Sequence, residues 1–477
     1  MMVMNALKLA RSFGNRRNNT SIGVQDIIGP RFRRLLSSAA AEGYGNRFAV
    51  LWGNGDFGRL GYGSIESQWS PKPLLPPAFH DQSLRDIACG GAHTLFLTEN
   101  GSVYACGLND YGQLGIPDDK RYATEPVCVA SLPKDIVKIS AGYHHSCAVT
   151  VDGELYMWGR NSSGQLGLGK KANKVVPFPR KVESLNGLPI KAASLGLEHS
   201  IAVTAVHGEA LSWGGGGSGQ LGHGLRSGIS GMLKSNSEYA PRLIKKLESM
   251  KVKQAGAGML HSACVCENGC VYTFGQRAKT KFGFGDAYYD IEPFVVCELP
   301  SSEMTACGGY HTCVVTSGGE LYTWGSNENG CLGTGCTDVT YSPERVQGSY
   351  MMDYVHKVSC GWKHTAAISG GNVYAWGWGG SYGTFSEDGH SSGGQLILLI
   401  QMSSQTPEAM ALYSDSALLR DTTSCFLLLH VTRLPHRKGQ GNDIDYIEPA
   451  LVNFQIGVRA LQISCGFNHT GAVVEYT

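Results

Sequence analysis

The sequence has no apolar run long enough to cross a bilayer as a helix. Its cleanest stretches, such as Leu396–Ile400, hold 5 residues, where about 20 are needed. That predicts a chain without a membrane span. Charge is sparse as well, with 17% of residues Asp, Glu, Lys or Arg. The 15 cysteines show none of the paired spacing of a secreted disulfide framework. Cys89, Cys307, Cys360 and Cys465 instead share one recurring place, just before a glycine, which suits a small buried side chain in a reducing compartment. His261, Cys264, Cys266 and Cys270 resemble a metal set, but each falls on a recurring position that other copies fill with non-ligands. No nucleophile–base pair, phosphate-binding loop or paired-carboxylate motif stands above the background. These absences point away from an enzyme and imply no cofactor.

What the chain has in quantity is glycine, 64 residues of it, and the glycines are periodic. The stretch His145–Gly169 reads as strand, tight turn, strand and glycine-rich loop. Asp152-Gly153 is the expected turn, of type I′. The first half, G-x-x-H-[TS], recurs with histidines 93, 145, 199, 261, 311, 364 and 469. The second half places an aromatic residue, or once a cysteine, before glycine at 52, 106, 158, 213, 274, 324 and 376. Successive histidines lie 52, 54, 62, 50, 53 and 105 residues apart. A period near fifty with strand and turn chemistry predicts an all-β fold, a seven-bladed propeller of four-stranded blades. One unit is expected to run Arg180–Ser184, Ile190–Ser194, His199–Thr204 and Glu209–Trp213. Arg47–Gly53 is the second half of a unit and Ile463–Thr477 the first half, so the two ends are expected to complete one closing blade.

Ser359–Thr365 and Asp152–Gly167 resemble the repeat signature of the regulator of chromosome condensation family, S-C-G-x-x-H-T followed by D-G-x-x-Y-x-W-G-x-N-x-x-G-Q-L-G. Seven copies over residues 46–477 carry the resemblance. It implies a seven-bladed propeller that works as a binding scaffold, with guanine-nucleotide exchange on a GTPase as the founding activity. Organellar members of the family are linked to transcript processing and ribosomal RNA. A light-sensing plant member uses tryptophans in repeated G-W-R-H-T. Here Gly361-Trp362-Lys363-His364-Thr365 alone comes close, with Ala92, His144, Glu198, Leu260, Tyr310 and Asn468 aligned to Trp362, so photoreception is set aside. The regular recurrence of the histidines predicts a packing role, with a ring nitrogen bonded to backbone, rather than proton chemistry.

Residues 1–41 hold seven Lys or Arg against one acid, net +6. This Arg-rich, acid-poor composition predicts a mitochondrial transit peptide over residues 1–36, matrix localisation, and a propeller over residues 42–477. Arg34-Leu35-Leu36-Ser37 is the expected processing site.

Charge is uneven along the rest of the chain. Residues 160–281 carry 17 basic and 6 acidic residues, net +11, against −5 for residues 42–159 and −11 for 282–477. Such a sector attracts phosphates or an acidic protein. The candidate partner-binding residues are Lys234, Arg242, Lys245, Lys246, Lys251, Lys253, Arg277, Lys279 and Lys281. The expected function is a non-enzymatic mitochondrial scaffold supporting organellar RNA processing (splicing or ribosomal RNA maturation) through protein or RNA partners. The alternative is a guanine-nucleotide exchange factor for a GTPase. The 105-residue histidine spacing contains residues 397–438, which carry no repeat motif and interrupt a glycine loop; they are expected to be poorly ordered.

Overall fold

The computed structural model describes residues 47–117, 120–224, 237–276, 289–347, 354–378, 446–452 and 457–476. The leader, the insert 397–438 and four of the candidate basic residues lie outside them. Within the described residues the chain forms seven antiparallel sheets of four strands each. Six blades take their strands in sequence order, from Leu84–Cys89 of the first to Tyr446–Val452 of the sixth. The seventh joins both ends: Gln68–Leu74 and Arg47–Gly53 sit beside His469–Tyr476 and Val458–Cys465. Arg47–Gly53 pairs with Glu475–His469 along its whole length, so no edge is left open there. An ion pair of 3.2 Å between Arg47 Nε and Glu475 Oε2 crosses the same junction.

The repeat unit and the blade are offset by one strand. The third blade is Ile190–Leu195, His199–Thr204, Ala210–Gly214 and Glu238–Leu243. Arg180 belongs to the outer strand of the preceding blade, Val175–Lys181, and Glu183–Leu185 is a single 3-10 turn. Outer strands are largely exposed, and so lack the apolar alternation that marks the other three. The turn at Asp152-Gly153 also differs from the I′ expectation. Gly153 has φ 81°, while Asp152 does not enter the left-handed region. Thr150 N–H donates to Glu154 O at 3.0 Å, closing a three-residue loop with glycine at its left-handed position.

The core lies between blades rather than along the axis. One cluster joins Cys147, Met157 and Leu166 of the second blade to Leu195, Ala202 and Trp213 of the third. Trp52, Trp158, Trp213 and Trp376 are all fully buried. Trp213 Nε1–H donates to Gln165 O of the preceding blade at 2.9 Å, and Trp158 does the same to Gln113 O. The glycine two residues after that glutamine is compelled by this contact. A Cβ at Gly167, whose φ is +69°, would stand 2.9 Å from Trp213 Nε1.

Candidate functional site

Each repeat histidine is buried at the seam with the next blade, and each reaches a hydroxyl on that blade. His93 Nε2 meets Ser146 Oγ at 2.9 Å, His145 meets Ser200 at 3.2 Å, and His199 meets Ser262 at 2.9 Å. The series continues through His261–Thr312, His311–Thr365 and His364–Thr470, and closes with His469 on Thr94 at 2.8 Å. The hydroxyls are spoken for on their other side: Ser146 donates to Gln113 O, Ser200 to Gln165 O and Ser262 to Gln220 O. Thr94 and Thr365 likewise donate to Arg59 O and Cys331 O. With its proton committed to a carbonyl, each of these five hydroxyls accepts from the imidazole, which assigns Nε2–H as the proton-bearing nitrogen there. The partner is thus a neighbouring side chain, where a backbone group was expected.

Burial lowers the imidazole pKa to about 3 for His93, His145, His199, His311 and His364, and to about 4 for His261. His469 is likewise held well below the ordinary value, by burial first and then by the Arg59 charge. All seven are neutral at physiological pH, with Nε2 engaged by a hydroxyl of the next blade. They are positioned to close a ring, not to relay protons.

A second ring lies nearer the axis. Tyr143 N–H donates to Gly196 O, Leu197 N–H to Gly258 O and Met259 N–H to Gly308 O, each binding one blade's loop to the next. The glycine of G-x-x-H is required here by close approach. A Cβ at Gly196 would stand 2.3 Å from Gly258 O and 2.4 Å from its own histidine's Cε1.

This ring also corrects the alignment to Trp362. The residues that follow the seven glycines are Gly91, Tyr143, Leu197, Met259, Gly309, Trp362 and Phe467, one position earlier than the sequence alignment. They rim a narrow axial space of about 80 Å³, too small for a drug-sized ligand. Trp362 is the one tryptophan in this rim. It stacks on Phe467 at 4.4 Å between centroids, and Phe467 meets Tyr143 edge-on at 5.1 Å. Lys363 Nζ sits 4.7 Å over the Trp362 ring, so this cation is drawn inward rather than left free in solvent.

The candidate basic residues fare unequally. Lys234, Arg277, Lys279 and Lys281 lie outside the described residues. Arg242, on the outer strand Glu238–Leu243, pairs with Glu238 at 2.6 Å. Lys246 reaches Glu292 of the next blade at 3.6 Å, and Lys253 pairs with Glu303 across another seam. Lys246 and Lys253 thus reach across blade seams, whereas Arg242 pairs within its own strand. Lys245, in the 3-10 turn Lys245–Leu247, and Lys251 are exposed and form no ion pair among the described residues. A second group was counted in the charge but not singled out: Lys170, Lys171, Lys174 and Arg180, all exposed. The signal was present as the run Lys170-Lys171-Ala172-Asn173-Lys174 beside an exposed aromatic, Phe178.

An RCC1-like domain profile matches residues 48–475, nearly the whole ring. The ultraviolet-B receptor UVR8 of Arabidopsis thaliana is 34% identical over 370 residues, covering 75% of this chain and 80% of the receptor. RCC1 domain-containing protein RUG3, mitochondrial, also of Arabidopsis thaliana, is 32% identical over 307 residues, 62% of this chain and 65% of its own length. The probable E3 ubiquitin-protein ligase HERC4 of Homo sapiens is 32% identical over 355 residues, and the chain spans just 32% of that ligase. Among solved structures, human WBSCR16 superposes with a TM-score of 0.65 at 20% identity, covering 90% of this chain and 99% of its own. Prp20p of Saccharomyces cerevisiae, studied for its binding to Gsp1p and histones, gives 0.67 at 19%, covering 91% and 92%. Likeness at these identities speaks for the fold. The repeat, the closed seven-bladed ring and the profile agree: the chain belongs to the RCC1-like domain family.

Proposed function

We propose that this protein is a non-enzymatic mitochondrial scaffold that supports organellar RNA processing by holding RNA, protein partners or both on its propeller surface. The observation that carries the reading is the fate of the ionisable groups. The seven repeat histidines are buried, neutral and committed to ring closure, while exposed cations gather on adjacent blades. The basic leader and the likeness to RUG3, a mitochondrial protein, support the organelle; splicing or ribosomal RNA maturation is the step proposed. The leader is read as a transit peptide over residues 1–36, so the native protein should begin near Ser37, which amino-terminal sequencing tests. A nuclear, uncleaved protein would remove the organellar part of the proposal. The RNA part is tested by titrating labelled single-stranded RNA with the full chain at about 0.15 M salt. Saturable binding that weakens as salt rises is expected. No binding by a folded protein would leave protein partners alone, with guanine-nucleotide exchange on a GTPase as the next reading.

A further inference from the structure

Beside the outer strand Val175–Lys181 of the second blade runs a groove of about 540 Å³, with Ala240 of the third blade in its lining. Lys171 and Arg180 line it, and Lys170 and Lys174 stand on the same loop and strand entry. All four are exposed, and none forms an ion pair among the described residues. Two other charged residues line the groove, Lys181 in an ion pair and Glu183 an exposed carboxylate that the four cations outweigh. Lys181 is held by Glu154 at 2.6 Å, and Glu183 accepts a hydrogen bond from Asn186 Nδ2 at 2.7 Å.

Four like charges within eleven residues of sequence repel one another in the free protein and add into one positive field over a concave surface. Phe178 lines the same groove and is 44% exposed. A solvated cationic loop needs no exposed phenyl ring. A surface that takes both phosphates and bases does, because backbone charge and base stacking are the two terms of single-strand binding.

We infer that this groove seats single-stranded RNA, with Lys170, Lys171, Lys174 and Arg180 taking phosphates and Phe178 stacking a base. The inference rests on the RNA reading above and gives it an address. That address differs from the cations around Lys246 and Lys253, whose charge is spent on Glu292 and Glu303. An acidic protein segment is the rival occupant; it would use the same cations but leave the aromatic face idle.

The experiment titrates a labelled single-stranded RNA of roughly 12 nucleotides with the full chain at several salt concentrations. The variants are Lys170→Ala/Lys171→Ala/Lys174→Ala/Arg180→Ala, Phe178→Ala, Lys245→Ala/Lys251→Ala, and a charge-preserving Lys170→Arg/Lys171→Arg/Lys174→Arg. The fourfold alanine variant should lose most affinity and flatten the log–log salt slope by about 3, at about 0.7 per phosphate contact. Phe178→Ala should weaken binding roughly 5- to 150-fold with the slope unchanged. The arginine variant should bind like the wild type, which separates lost charge from lost structure. If the wild type binds and the fourfold variant binds equally well, the groove assignment is overturned while the RNA reading stands. If the fourfold variant fails but Phe178→Ala is neutral and polyglutamate competes with RNA, the occupant is an acidic protein segment instead. A wild type that binds no RNA overturns both.

Discussion

Acid should open this ring as pH falls below about 6.5. Each repeat histidine has an ordinary pKa of 6.5, and in the folded ring six of the seven fall to about 3 or 4, with His469 also held well below 6.5. Between those values the unfolded chain binds protons that the folded chain refuses. The stability contributed by the neutral rings is therefore complete above about pH 6.5 and is lost as pH falls. At pH 5.5 the unfolded state gains about 1.4 kcal/mol for each such histidine, or about 10 kcal/mol for seven. That rivals the 5–15 kcal/mol net stability of a whole domain. Asp86 works the other way, because burial raises its pKa, but it is one group against seven, and His144, lowered to about 4 mainly by burial, acts with the seven. Urea unfolding followed by tryptophan fluorescence from pH 7.5 to 5.0 should show the midpoint collapsing below pH 6.5. The unfolding step should take up about seven protons near pH 5. A midpoint that is flat between pH 7.5 and 5.5 would refute the neutral, buried ring.

Three further outcomes follow from the same geometry. Gly196→Ala forces a Cβ to 2.3 Å from Gly258 O, so thermal unfolding should report a loss of about 3 kcal/mol, at the upper end for overpacking; a loss under about 1 kcal/mol would mean the axial loops are slack. Deleting Arg47–Gly53 exposes both His469–Tyr476 and Gln68–Leu74 as unpaired edges, and light scattering should show aggregation with a broadened melt; a wild-type melt would contradict the closure. Excising residues 397–438 should keep or improve the melting temperature, because the strand Asn372–Gly377 pairs with Tyr446–Val452 across the intervening segment; a marked drop would show that the insert packs as a real element.

Much of this was legible in the sequence because the repeat encodes its own geometry. Seven histidines in phase with seven aromatic–glycine pairs fixed the number of blades, and two half-units at the ends implied the closing blade. What stayed hidden depends on neighbours distant in sequence. No local pattern says that His199 will meet Ser262, 63 residues on, because the repeat shows what recurs and not which copy faces which. The blade boundary slipped by one strand because outer strands such as Glu238–Leu243 face solvent and carry little apolar signal. The basic sector was visible as a sum, but the sum could not separate cations spent on blade seams, such as Lys253 on Glu303, from those left on an open groove, such as Lys171. The residues aligned to Trp362 were also legible, because the fixed G-x-x-H spacing places Gly91, Tyr143, Leu197, Met259, Gly309 and Phe467 two residues before each histidine.

The central claim, a closed ring whose surface serves RNA in mitochondria, is tested most directly by crosslinking in isolated mitochondria with the tagged full chain, followed by recovery of bound RNA and protein. The account predicts one or a few enriched organellar transcripts, with crosslinks on the peptide containing Lys174 to Arg180. Recovery of a GTPase with no enriched RNA would contradict it and make nucleotide exchange the function to pursue.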